Sequence, residues 1–381
     1  MKKNISRKIN IVTCFVLLML LCVTNNVKAA TRIDDSQIYY VNATLTKFNP
    51  ESYNAMIRGM SSGEYWGLSY DQRKAVDEQY MLFGGTGVPG VSTACVYNPP
   101  NQNAGSLTQG LASEYLVNNN LWISRFNNGA TFFPTEDIVN ANPGVYTEVL
   151  RNWKFPFQRS SDGYYSFDSR QIVVQRNYNT QRLEPYTGDH FCFYPFSDLS
   201  ADCSDVYQRA YYYSMRLDLT YTMTDDGKVN GQDMVFNFSG DDDVWIYIDG
   251  RLAVDLGGCH PISTGNLNLA TNSVYYGDSN NFSAKTVYNV LNDSQKAPGQ
   301  HTMTIFYMDR ADGEANLVAN FNLQSGGVKV NHVDKATGNV LQTETKTTTY
   351  GNTLTTSAKT ISGYTLVQKP STETYTIHEN L

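Results

Sequence analysis

Between residues 212 and 323 short apolar-rich runs lie at 215–222, 234–238, 244–248, 251–256, 301–308 and 315–323, with polar turns between them, and in 215–222, 234–238 and 315–323 the apolar side chains return at every second position. A period of two marks a strand with one face in a core. Six such runs with almost no helical spacing predict a β-sandwich. Residues 30–190 are rich in Asn, Gly, Tyr and Pro and predict a turn-rich region with few strands, among them 164–167 and 171–174. One stretch there, 70–82, has helical spacing at Val76 and Tyr80, with Asp71 as its expected cap. After a polar joint at 324–327 the chain changes character. Residues 328–381 hold seventeen Thr and Ser, three Tyr and no Trp, Phe or Cys, which predicts a second, small β module.

The start of the chain has a different pattern. Lys2, Lys3, Arg7 and Lys8 precede a nearly unbroken apolar stretch from Ile11 to Val23 and a small-residue site at Ala29-Ala30. This is the layout of a secretory signal peptide over residues 1–29. Its apolar stretch is about 13 residues, short of the ~20 that span a bilayer, so no membrane span is expected after cleavage. Removing five basic residues leaves 24 Lys and Arg against 36 Asp and Glu, a net charge of −12. Nucleic acid is not a partner for such a surface. Of six cysteines, Cys14 and Cys22 leave with the signal. Cys95, Cys192, Cys203 and Cys259 remain, an even number for an oxidising compartment, and two disulfides are expected. The short loop favours Cys192 with Cys203, leaving Cys95 with Cys259.

The most informative stretch runs from Phe236 to His260. Two apolar strands flank Asp249-Gly250, a strong hairpin signal. A two-residue turn sets Ile248 opposite Arg251, Tyr247 opposite Leu252, Trp245 opposite Val254 and Val244 opposite Asp255, with both faces apolar, so the hairpin is expected deep in the sandwich. The same pairing gathers Asp241, Asp242, Asp243 and Asp255 at one end, beside Gly257, Gly258 and His260. That much negative charge needs a cation or backbone amides to offset it. Calcium, which takes oxygen ligands, suits these carboxylates better than zinc. The four aspartates are the metal candidates, and Gly257, Gly258 and His260 the ligand-contact candidates. The competing reading is a set of strand-end caps that accept amides.

At these residues the chain resembles the fibro-slime domain, a PA14-like β-sandwich of secreted bacterial surface proteins. The matching stretch is Phe236-Asn-Phe-Ser-Gly-Asp-Asp-Asp-Val-Trp-Ile-Tyr-Ile-Asp-Gly, followed by Asp255-Leu-Gly-Gly-Cys-His260. His301-Thr-Met-Thr-Ile-Phe-Tyr-Met-Asp309-Arg310, 315–323 and Gly163-Tyr-Tyr-Ser-Phe-Asp-Ser169 also match. The resemblance implies an all-β, PA14-like fold over roughly 35–325, dense in the core at 191–325. In lectins of this group two successive aspartates hold a calcium that also meets sugar hydroxyls, which carries over to Asp241 and Asp242 or to Asp242 and Asp243. Residues 326–381, with Val328-Lys-Val-Asn-His-Val-Asp-Lys-Ala-Thr-Gly338 and Gly363-Tyr364, resemble the mucin-binding-protein (MucBP) modules of Gram-positive surface proteins and stop before that module normally ends.

These features lead to a secreted, non-enzymatic adhesin of the cell surface or matrix, binding glycans with the help of calcium. The alternative is a structural module that contacts other surface proteins, with any metal only stabilising the fold. Gly59-Met60-Ser61-Ser62-Gly63 spells the nucleophile elbow G-x-S-x-G, which needs a strand before it and a helix after it. Neither is expected here.

Overall fold

A computed structural model describes residues 30–84, 107–126, 130–161, 163–187, 193–198, 210–229, 231–277, 284–311, 315–323, 325–349 and 353–376. The expected signal segment, Cys95, Cys192 and Cys203 lie outside these residues. Cys259 is disulfide-bonded.

The protein is all-β, as its alternating runs require. Among the described residues one continuous sheet of fourteen strands forms the main body. Its first six strands in spatial order are Arg251–Leu256, Asp243–Ile248, Gly299–Asp309, Tyr213–Met223, Ile38–Phe48 and Tyr146–Arg159. A two-residue pairing, Gln158 with Ser166 and Arg159 with Tyr165, hands the sheet over to Tyr165–Asp168. Then come Leu317–Phe321, Val235–Gly240, Ser263–Asn268, Ser273–Gly277 and Lys285–Tyr288. The two halves fold face to face. Met215, Leu217, Leu219, Ile305 and Tyr307 from the first half share a single core with Phe236, Phe238, Leu267 and Phe321 from the second. Gly265 sits where the layers meet most closely: a Cβ there would lie 2.7 Å from Val254 Cγ1.

Strand Tyr213–Met223 shows why the pattern works. Met215, Leu217, Leu219, Tyr221 and Met223 are buried in the core, while Arg216, Asp218, Thr220 and Thr222 face away. All six residues of Asp243–Ile248 are buried, as the two-sided apolar hairpin predicts. Val244, Ile246 and Ile248 enter the main core. Trp245 and Tyr247 enter a second core on the back of the first layer, with Phe48, Tyr53, Phe83, Phe132 and Phe306. Each such aromatic contributes ~1.5–3 kcal/mol by leaving water.

Two of the longest strands, Ile38–Phe48 and Tyr146–Arg159, come from the region expected to be turn-rich. The helix expected over 70–82 is Tyr70–Asp77, and its cap is Ser69, whose hydroxyl accepts Gln72 N while Gln72 Oε1 accepts Ser69 N. Further helices at Pro50–Arg58, Ser62–Gly67 and Glu136–Ala141 have too few turns to show in the apolar spacing. Ser61 of the G-x-S-x-G match caps Ser62–Gly67 and donates to Glu64. A helix precedes it where an elbow needs a strand. Beyond the sandwich, Ser325–Val333 pairs with Val340–Thr349, and Thr353–Thr355 with Thr374–Thr376.

Candidate functional site at the acidic turn

The hairpin turn is as expected in kind: Asp249 and Gly250 have φ of +48° and +77°, both in the left-handed region that a two-residue hairpin turn demands. Asp249 is further fixed by Thr302 N at 2.9 Å and His301 Nδ1 at 2.5 Å. The cross-strand register departs from the simple expectation. Ile248 faces Arg251 and Tyr247 faces Leu252, but an irregularity follows, so that Ile246 faces Val254, Trp245 faces Asp255 and Val244 faces Leu256. Ala253 is the extra residue of a bulge. Its consequence is chemical, because Trp245 Nε1 donates to Asp255 Oδ1 at 2.9 Å inside the protein.

The four predicted carboxylates are brought to one end of the hairpin, and each is claimed by protein donors. Asp241 accepts Asn316 N at 2.5 Å and Asn316 Nδ2 at 2.7 Å. Asp242, at φ +98°, accepts Arg310 N at 2.7 Å and Ala311 N at 3.2 Å. Asp243 accepts Gly258 N at 2.6 Å through one oxygen and pairs with Arg310 Nε through the other. Asp255 accepts Trp245 Nε1 and, at 2.7 Å, Gly110 N. Arg310 also donates to Leu82 O at 3.0 Å and is 4% exposed. It is the cation the acidic end requires.

The ligand-contact candidates are closed off. A Cβ on Gly257 would lie 2.8 Å from Thr108 O, and Thr108 N donates to Gly257 O. Gly258 spends its amide on Asp243. His260 is 4% exposed, with its ring nitrogens 2.8 Å from Pro261 O and 3.2 Å from Leu256 O.

Burial sets the protonation of the cluster. It pushes the carboxyl of Asp241 up to about 7 and that of Asp255 up to about 6. Asp242 is raised by burial and by the charge of Asp243. Asp309, for which no role is legible in the sequence, is buried beside them. Burial and the charges of Asp242 and Asp241 raise it well above the carboxylate range, and its Oδ2 has no hydrogen-bond partner among the described residues. On the same side, burial lowers the Lys47 amine to about 8.

Calcium wants about six to eight oxygens turned on one point. Here the four aspartates point to different amides and a guanidinium lies among them. Among the described residues no group of three or more His, Cys, Asp or Glu is placed to hold a metal ion. As they stand, these residues do not fit a calcium shell, and they match the strand-end caps of the competing reading.

Residues 327–380 match the MucBP domain, in line with the resemblance carried by 328–338 and Gly363-Tyr364. Part of the chain is similar to proteins of Dictyostelium discoideum, which goes with the fibro-slime resemblance. Protein psiO is 47% identical over 62 residues, 16% of this chain and 8% of that protein. Protein psiE is 30% identical over 158 residues, 38% of this chain and 29% of that protein. The chain thus spans less than a third of the length of either. Among solved structures, a PA14 sugar-binding domain from an RTX adhesin is 14% identical at a TM-score of 0.19, with 43% of this chain and 67% of that chain covered.

Proposed function

We propose that the chain is a secreted, non-catalytic surface adhesion protein that binds glycans through exposed faces of its β modules, without a calcium ion at the acidic turn. The observation that carries this reading is the MucBP match over 327–380, set directly after the last strand of the sandwich. The arrangement of the aspartates supports a structural role for the turn: carboxylates already bonded to amides and to Arg310 are poor candidates for acid–base chemistry or for sugar contact. No helix among the described residues is long and apolar enough to cross a membrane. The signal-like start at 1–29 supports export.

A second reading, a structural module joining other surface proteins, is favoured by one observation. Lys285–Tyr288 ends the sheet and all four of its residues are exposed. An open edge is a template for another strand. Binding of the 30–381 protein to a panel of immobilised glycans separates the two. Saturable binding to at least one glycan class is expected. Failure on every glycan, together with capture of a partner that Thr286→Pro abolishes, overturns the adhesin reading in favour of the second.

A further inference from the structure

Among the described residues the second core covers only part of the back of the first layer. Phe306, Met308 and Tyr247 belong to that core, and the buried Thr304 follows on the same face of its strand. Beyond it opens a cleft of about 450 Å3, lined by Tyr40, Asn42, Lys154, Asp218 and Thr304, with Asn119 at its rim. This volume lies within the range of small-ligand sites.

The sheet register builds its floor. Lys154 pairs with Asn42, Asn42 with Asp218, and Asp218 with Thr304, so four neighbouring strands set these side chains in one cross-strand row. Successive groups are about 4.8 Å apart, and Thr220 with Thr302 forms a second row alongside. The parts are held in place. Arg216 grips both oxygens of Asp218 and donates to Asn119 O at 2.7 Å, fixing the rim, and Thr304 Oγ1 donates to Asp218 at 2.9 Å.

Charge selects the ligand. Arg216 and Asp218 cancel each other. Lys154 Nζ is held 2.6 Å from the neutral Asn42 Oδ1 and has no carboxylate within ion-pair distance among the described residues. Asn42 Nδ2 donates to no described residue. Among the described residues the lining therefore keeps one net positive charge, on an exposed ammonium oriented by Asn42, in a protein that is acidic overall. Rows of hydroxyl and amide groups around a fixed cation suit a ligand rich in hydroxyls that carries an anion.

We infer that this cleft binds an acidic sugar chain, with Lys154 meeting its carboxylate or sulfate and Asn42 meeting its hydroxyls. The inference rests on the glycan reading above and gives it a place and a ligand class.

The test titrates the 30–381 protein, as wild type, Lys154→Met and Lys154→Arg, with sialylated, uronate-containing and sulfated oligosaccharides and with their neutral parents. Thermal unfolding of each variant checks that the fold is kept. Acidic sugars should bind more tightly than their neutral parents and lose about tenfold or more in Lys154→Met, as expected for a charge-assisted contact. Lys154→Arg should keep most of the binding. The carboxylate and sulfate arms tell which anion the cleft takes. Binding that ignores both the anion and Lys154→Met overturns the cleft while leaving the glycan reading intact. Binding of neutral glycans alone does the same, and absence of any binding overturns both.

Discussion

Arg310 carries its guanidinium to the carboxylate of Asp243 inside the protein, where the two side chains are 4% and 0% exposed. The two residues stand at the same end of neighbouring strands, 67 residues apart in sequence, and the pair turns a costly run of three aspartates into a fixed corner. A buried pair need not stabilise relative to an apolar substitute, but losing one partner strands the other charge.

Arg310→Met should therefore destabilise the protein by about 3–5 kcal/mol, leaving Asp243 without its counter-charge. The double variant Asp243→Leu with Arg310→Met should recover a large part of that loss. Urea unfolding of the single and double variants checks it. Additive losses would show that the pair is not coupled.

Replacement of Trp245 by Phe keeps most of the buried ring and removes the donor to Asp255. The expected cost is about 1–3 kcal/mol, the range for a buried acceptor left short of a partner. Asp255 keeps Gly110 N, so the fold should survive. An unchanged denaturation midpoint would mean that the bulge-set contact contributes nothing.

Acidity should favour this fold over part of the pH range. Asp241, Asp255, Asp242 and Asp309 have folded-state pKa values raised by burial. An acid raised above its unfolded value of about 4 favours the folded state while it stays protonated. That contribution is full below about pH 4 and is lost as pH climbs through 4 to about 7. Asp34, Glu64 and Asp334, lowered by hydrogen bonds to Ser36, Ser61 and Thr337, act the other way. Their effect falls below pH 4 and is weak because they are fully exposed. The melting temperature should be higher at pH 5 than at pH 8. Asp241→Asn should reduce that difference, since Asn316 can turn its amide to suit. A melting temperature that rises steadily from pH 5 to 8 would contradict the assignment.

The hairpin was readable because its signals are local: apolar runs mark the strands, and Asp249-Gly250 names the turn. What lay beyond local pattern stayed hidden. Nothing in 251–256 marks Ala253 as a bulge, although that bulge is what sets Trp245 opposite Asp255. The sequence shows four carboxylates converging, yet Asn316, Gly110 and Arg310, which satisfy them, come from distant segments. Arg310 is legible only as the close of the His301–Asp309 motif. Strands Ile38–Phe48 and Tyr146–Arg159 were masked by bulges and by Asn and Pro residues within them. The cleft row Lys154–Asn42–Asp218–Thr304 needs four strands in register, and no single segment announces it.

The most direct test of the account is binding of the 30–381 protein to its best immobilised glycan, measured with millimolar calcium and again with excess chelator, for wild type and Asp242→Asn. Saturable binding of equal affinity is expected in both buffers, retained by the variant at a temperature where it is folded. Binding that appears only with calcium and vanishes in Asp242→Asn would contradict it, and would return the glycan contact to the acidic turn.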